Sequence, residues 1–120
     1  MKSTSIFATA LLALAGVAAC GASTLPAARM AAAQSTIGAA QGAGAQHNPA
    51  AALHLRYAQE EYAQAENLSR DGDGERAEIT LMRAEADAQL AAEITRRDAA
   101  RTAAANARSQ ANTPAPTATP

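Results

Sequence analysis

An acidic loop is the first group of side chains in this sequence whose types and spacing could support chemistry. Asp71-Gly72-Asp73-Gly74-Glu75 places oxygen ligands at alternate positions, as the first half of a calcium-binding loop does. An EF-hand loop that started at Asp71 would need Gly at its sixth position and Glu at its twelfth, where this chain has Arg76 and Met82. We therefore interpret the loop as a turn that also caps a helix.

The two histidines, His47 and His54, form the second candidate group. Neither has a Cys, Asp or Glu at metal-ligand spacing, and the chain contains no HExxH motif. No hydroxyl side chain stands in a glycine-flanked nucleophile turn, and no Gly-rich phosphate loop is present. We interpret both histidines as surface residues, and we predict that the protein is not an enzyme and needs no cofactor or metal.

Arginines near the end of the last predicted helix form the third group. Arg97, Arg101 and Arg108 share one side of that helix, and Arg96 lies beside them. One interpretation is structural: cations are favoured near a helix C-terminus and pair with carboxylates of the same helix. The other is a patch that faces anions such as lipid phosphates or cell-wall carboxylates.

Composition limits both the core and the partners. Ten basic and eleven acidic residues give a formal net charge of -1, which does not favour nucleic acid. After Cys20 the only aromatic residues are two tyrosines, too few for a base-stacking surface. Leu, Ile, Met and Tyr are the only large apolar residues there, so we expect a small core in which alanine and close helix packing matter most.

The N-terminal stretch has the pattern of a secretory signal peptide. Lys2 precedes an apolar run from Ile6 to Ala19, which is too short for the ~20 apolar residues of a membrane-spanning helix. Val17-Ala18-Ala19-Cys20 resembles the bacterial lipobox, which implies cleavage after residue 19 and acyl chains such as palmitate on Cys20. The alternative is an ordinary signal peptide cleaved nearby. Cys20 is the only cysteine, so no internal disulfide can form.

The elements that must position these groups are three helices. After a tether at 20–27, the first helix starts near Leu25-Pro26 and ends near Gln41, before Gly42-Ala43-Gly44. The second starts at Asn48-Pro49 and ends at Gly72, with Glu66 and Arg70 at pairing distance. Residues at spacings of three and four form one apolar stripe on each helix: Met30, Ala33, Ile37 and Ala40 on the first, and Ala51, Leu55, Ala58, Tyr62 and Ala65 on the second.

The third helix differs because it carries two apolar stripes. It starts at Asp73 or Gly74 and runs to about Arg108, so its last third should project beyond the hairpin. Its second stripe needs a cover of its own, which could be the first helix, a second copy of the chain, or another partner. The first stripe consists of Ala77, Leu81, Ala84, Ala88 and Ala91, and the second of Ile79, Met82, Ala86 and Leu90.

These elements predict an all-α fold. We expect a long antiparallel helical hairpin with a shorter N-terminal helix, as a three-helix bundle or a coiled-coil-like structure, over residues 28–108. Residues 109–120 end in a run rich in Pro and Thr, which favours a disordered tail.

Short motifs recur along the hairpin: Ala58-Gln59-Glu60, Ala65, Gly72-Asp73, Glu75-Arg76-Ala77, Ala84 and Asp87-Ala88-Gln89-Leu90-Ala91. In these motifs the hairpin resembles a bacterial envelope lipoprotein family known as domain of unknown function 4398. The resemblance covers roughly residues 28–105, and two departures are the distance of Pro49 from the helix body and of Ala65 from the turn. It implies an envelope location and no established activity. Family members occur as short lipoproteins or joined to an OmpA-type peptidoglycan-binding domain.

Together these patterns predict an outer-membrane lipoprotein with a periplasmic interaction module and a structural or adaptor role in the cell envelope. Gly21 after the cysteine favours the outer membrane, by resemblance to lipoprotein sorting. The alternatives are a non-covalent peptidoglycan-associated tether and a soluble periplasmic helical protein. Expected partners are the membrane through Cys20, and an envelope protein, peptidoglycan or a second copy, through a contact surface of Ile79, Met82, Ala86, Leu90, Arg97 and Arg101.

Overall fold

The computed structural model describes residues 27–113, which form three α-helices and one short 3₁₀ turn. Helix α1 spans Ala27–Gly42, the 3₁₀ turn spans Ala45–His47, α2 spans Pro49–Arg70 and α3 spans Gly74–Ala111. No strand occurs within this range, and the predicted all-α hairpin with a shorter N-terminal helix is confirmed. The signal peptide, residues 20–26 of the tether, and residues 114–120 lie outside the described residues. Helix α3 ends at Ala111 rather than near Arg108, so it takes in residues 109–111 of the predicted tail.

The helix boundaries follow from local side-chain chemistry. The Asn48 side chain accepts hydrogen bonds from the Ala50 and Ala51 amides at 3.0 and 3.1 Å, which satisfies two free donors at the start of α2. Asp73 does the same for α3 by accepting from the Arg76 amide at 3.3 Å. Between the two helices Gly72 has a φ of 81°, a left-handed conformation that glycine adopts without strain.

One predicted side-chain pair at this turn does not form. Arg70 donates to the Asn67 side chain at 2.6 Å and to the backbone carbonyl of Glu66, not to the Glu66 carboxylate. The guanidinium carries several N–H donors, so it can bond the Asn67 side chain and the Glu66 carbonyl at the same time. Both acceptors are accessible because they lie in the last turn of α2. The predicted Glu66 to Arg70 ion pair is therefore wrong.

The core is built almost entirely from alanine. Ile37, Leu55 and Leu81 are the only buried apolar residues in the described range that are not alanines. Small side chains let helix axes approach closely, so backbone and Cβ atoms supply much of the packing. The predicted inward stripes of α2 and α3 are confirmed: all their members are buried except Tyr62, which is half-buried.

The packing partners fix the directions of the helices. Ile37 near the end of α1 packs in one cluster with Ala88, while Ala33 nearer its start packs in another with Leu81. Advancing along α1 therefore means advancing along α3, so the two helices are parallel and α2 runs antiparallel to both. Tyr62 of α2 contacts both clusters and connects them.

The last part of α3 has no helix beside it. Asp98 is half-buried and accepts a hydrogen bond from the Asn48 side chain, which marks where α2 begins. Every residue from 99 to 111 is exposed, and we call this segment the arm. The predicted projection of the third helix is confirmed. None of the helices between residues 27 and 113 combines the length and the hydropathy that crossing a membrane requires.

Candidate functional site

The second apolar stripe of α3 lies largely opposite the side that packs against α1 and α2, although Ile79 at its start borders a groove that Gln64 of α2 also lines. Ile79, Met82 and Leu90 are 47%, 55% and 44% exposed, and Ala86 between them is exposed as well. We call this surface the back face of α3. Helix α1 does not cover it, because α1 packs against Leu81 and the alanines on the opposite side. Of the three covers that the sequence allowed, the first helix is therefore excluded.

The arginines at the end of α3 divide into paired and unpaired side chains. Arg96 pairs with Glu93 at 2.6 Å, and Arg101 pairs more loosely with Asp98 at 3.5 Å. Arg97 and Arg108 are exposed and form no ion pair with any residue between 27 and 113. Pairing within the helix thus accounts for two of the four cations. Arg97 lies in line with the back face, next to its apolar part.

A polar cluster lies in the seam between α2 and α3, and the sequence interpretation missed it. His54 Nδ1 donates to Asp87 Oδ1 at 2.7 Å, and only about a quarter of each side chain is exposed (28% and 26%). The interpretation of His54 as a plain surface residue is therefore wrong. The two residues are 33 positions apart in the chain, so only the register of the hairpin brings them together.

Glu61 shares this seam with Asp87 and experiences its charge. Burial raises the pKa of Glu61, the Asp87 carboxylate raises it further, and Arg83 partly offsets both by lowering it. One carboxylate oxygen of Glu61 is buried and has no hydrogen-bond partner in the described range. Glu61 therefore binds a proton more readily than an exposed glutamate does, and it lies in the seam where α2 packs against α3.

Two surface grooves lie near these features, and both are open and mixed in character. One has a volume of 370 Å³ and lies between the end of α1 and the outer side of α2, lined by residues such as Gln41, Leu55 and Gln59. The other has a volume of 310 Å³ and is lined by Gln64, Ile79 and Arg83 among others. Neither groove includes His54, Glu61 or Asp87, so the polar cluster lies outside both.

The acidic loop serves as a helix joint. The Asp73 carboxylate is occupied by its capping bond and by an ion pair with Arg76 at 3.2 Å. Between residues 27 and 113 no three His, Cys, Asp or Glu side chains come close enough together to hold a metal ion. The only hydrogen bond that the His47 side chain forms within that range is with the neighbouring Gln46 side chain, at 3.3 Å.

The remaining aromatic residues have structural surroundings. The Tyr57 ring meets the His54 ring edge-on with centroids 6.3 Å apart, and the Arg56 guanidinium lies 5.7 Å from the Tyr57 centroid. Burial raises the pKa of Tyr62, and the nearby Glu66 charge adds to the effect. The contacts of Tyr57 are with residues of its own helix, whereas Tyr62 packs against both core clusters.

The structure thus brings the predicted contact residues Ile79, Met82, Ala86, Leu90, Arg97 and Arg101 onto one helix, while Cys20 lies outside the described residues. We found no protein-family model, no curated protein and no solved structure that matches the chain.

Proposed function

We propose that this protein is a lipid-anchored adaptor of the bacterial outer membrane that carries its helical module on the periplasmic side. The support for the anchor lies in the sequence: Lys2, the apolar run that follows it, and the Val17-Ala18-Ala19-Cys20 pattern. Three acyl chains on Cys20 would bind the membrane stably, because two are already sufficient. The resemblance to the lipoprotein family of domain of unknown function 4398 supports the same location.

The observation that carries the adaptor role is the exposed back face of α3. Its three large apolar side chains lie along one side of a helix whose other side is packed in the core. An exposed row of this kind costs solvation free energy in a free monomer, so it marks a contact surface in many proteins. The proposed role is contact and positioning, without catalysis.

Photo-crosslinking in the cells that make the protein tests the contact surface. A photoreactive residue replaces Met82 on the back face of α3, and the control places the same residue at Glu60, which is exposed on α2. We expect a discrete crosslinked product from position 82 and none from position 60. Absence of any product from position 82 would overturn the adaptor role.

A separate experiment tests the anchor. Intact-mass measurement of the mature protein should show an N-terminal Cys20 with its acyl chains, and Cys20→Ser should abolish palmitate incorporation and membrane association. A mature N-terminus at any other residue, or an unmodified thiol, would favour the soluble periplasmic alternative. Because this readout does not depend on the back face, the two parts of the proposal fail independently.

The peptidoglycan-associated alternative is favoured by the unpaired arginines. Arg97 and Arg108 have no ion-pair partner in the described range and could bind cell-wall carboxylates. Arg97→Gln combined with Arg108→Gln should then release the protein from purified cell-wall material and remove the salt dependence of binding. Unchanged binding in the double variant would reject this alternative.

A further inference from the structure

We infer that the cover of the back face is a second copy of this chain, whose α3 lies antiparallel so that each arm packs on the apolar stripe of the other copy. The inference rests on the contact surface of the proposed function and names its occupant. It does not depend on the lipid anchor.

The back face continues into the arm with a change of side-chain size. Advancing by 100° per residue, the line of Ile79, Ala86 and Leu90 runs on through Ala100 and Ala104. The stripe part carries large apolar side chains that are exposed. The arm part carries Ala100 and Ala104, with Arg101 and Arg108 on the same side, on a helix with no neighbour. Both halves of this face lack a partner within the described chain.

Antiparallel pairing about a two-fold axis near residue 95 places two of the large residues opposite alanines, and it places Met82 opposite Arg108, whose aliphatic stem can cover it. In that register Ile79 lies opposite Ala111 of the second copy, and Leu90 lies opposite Ala100. Ala86 meets Ala104, which lets the two helices approach closely. The surface is self-complementary, as an isologous dimer requires.

Charge selects this orientation. Glu93 and Arg97 are the charged residues at the middle of the line, and the antiparallel register places each opposite the other in the second copy, twice per dimer. Glu93 uses one carboxylate oxygen for Arg96, and Arg97 is unpaired in the described chain. A parallel pair would instead bring Glu93 against Glu93 and Arg97 against Arg97, which is repulsive.

The contact area is at the lower limit for a specific dimer. The overlap from Ile79 to Ala111 is ~50 Å long at 1.5 Å per residue, and a helix presents a strip ~10 Å wide. Each copy would therefore bury ~500 Å², or ~1,000 Å² in total, where specific interfaces begin. We expect a reversible dimer that is favoured by the high local concentration on a membrane surface.

The test compares crosslinking from two neighbouring positions of the arm. The full chain is produced in cells in two copies that carry different tags, so that a crosslink between copies can be detected. The photoreactive residue replaces Ala104 on the line of the back face, or Asn106 on the opposite side of the same helix; both are exposed in the monomer. We expect position 104 to crosslink the two tagged copies, with the linkage near Ala86, and position 106 to give no dimer.

A charge reversal tests the register in the purified full chain. Glu93→Arg should weaken the dimer roughly tenfold, because it creates two symmetry-related like-charge contacts with Arg97. Glu93→Arg with Arg97→Glu should restore it. Both side chains are exposed, so the helix content should stay unchanged in circular dichroism.

The outcomes separate this inference from the proposed function. Equal dimer yields from positions 104 and 106, or failure of the double reversal to restore the dimer, would overturn the antiparallel pair. Capture of a different envelope protein from position 82, without dimer from position 104, would overturn it and leave the adaptor role standing. If neither position 82 nor position 104 captures any protein, both the antiparallel pair and the adaptor role are overturned.

Discussion

Leu81→Ala should be the most destabilising single truncation in this domain. Leu81 is the only large side chain that is fully buried in the described range, and it packs between Ala33 of α1 and Ala65 of α2. Alanine side chains are too short to fill the space that the leucine leaves. Since the cost of such a change grows with the cavity that remains, we expect a loss of about 3–4 kcal/mol in the free energy of unfolding.

That loss is large compared with the total. At ~0.05–0.15 kcal/mol per residue, a domain of this size is stable by roughly 4–13 kcal/mol. A change of 3–4 kcal/mol should lower the melting temperature by about 12–32 °C. The matched control is Leu53→Ala, because Leu53 is 41% exposed and its truncation should cost about 1 kcal/mol or less.

Urea unfolding of the full chain, followed by far-UV circular dichroism, measures both variants. We expect the Leu81→Ala midpoint to fall well below that of Leu53→Ala while the slope of the transition stays the same. Equal midpoints for the two variants would refute the reasoning, since they would mean that α1 does not pack over Leu81.

Two further predictions concern protonation and backbone conformation. Burial and Asp87 raise the pKa of Glu61 in the folded state, so the folded protein binds this proton more readily than the unfolded chain does. The free energy of unfolding should therefore fall as the pH rises from about 4.5, the usual pKa of a glutamate, through the raised pKa of Glu61. Glu61→Gln should flatten that slope in urea midpoints measured against pH, and the slope should persist in Glu60→Gln, whose exposed side chain is outside the seam. Gly72→Ala should lower the free energy of unfolding by about 1 kcal/mol because the φ of Gly72 is 81°. Gly38→Ala in α1, where an added Cβ meets nothing within 4 Å, should raise the free energy of unfolding by about 0.5–1 kcal/mol and the melting temperature with it. A stabilising Gly72→Ala or a destabilising Gly38→Ala would contradict the backbone argument.

Local patterns made the helices predictable. Asn48-Pro49 and Asp73 are capping residues whose bonds reach only two or three residues along the chain, so the sequence contains all the information that they need. The inward stripes of α2 and α3 were predictable for a similar reason, because a helix repeats its faces every 3.6 residues. The second stripe of α3 followed from the same count.

Contacts between helices were not predictable in this way. His54 meets Asp87 only because the turn at Gly72 fixes the register of the hairpin, and no spacing in the sequence shows that register. The side of the hairpin that α1 occupies depends on how Ala33 and Ile37 fit against alanines of α3, and alanines are present on several faces of that helix. Because alanine occurs on several faces of α3, its spacing in the sequence does not show which face packs against α1.

The parallel course of α1 and α3 determines how the domain would respond to force. Tension between the first residue of α1 and the tip of the arm acts along both helix axes in opposite directions. The clusters around Ala33 and Ile37 would then be loaded together, in shear, instead of opening one after the other. A module held by its N-terminal side and gripped by its arm would therefore resist pulling better than its small, alanine-rich core suggests.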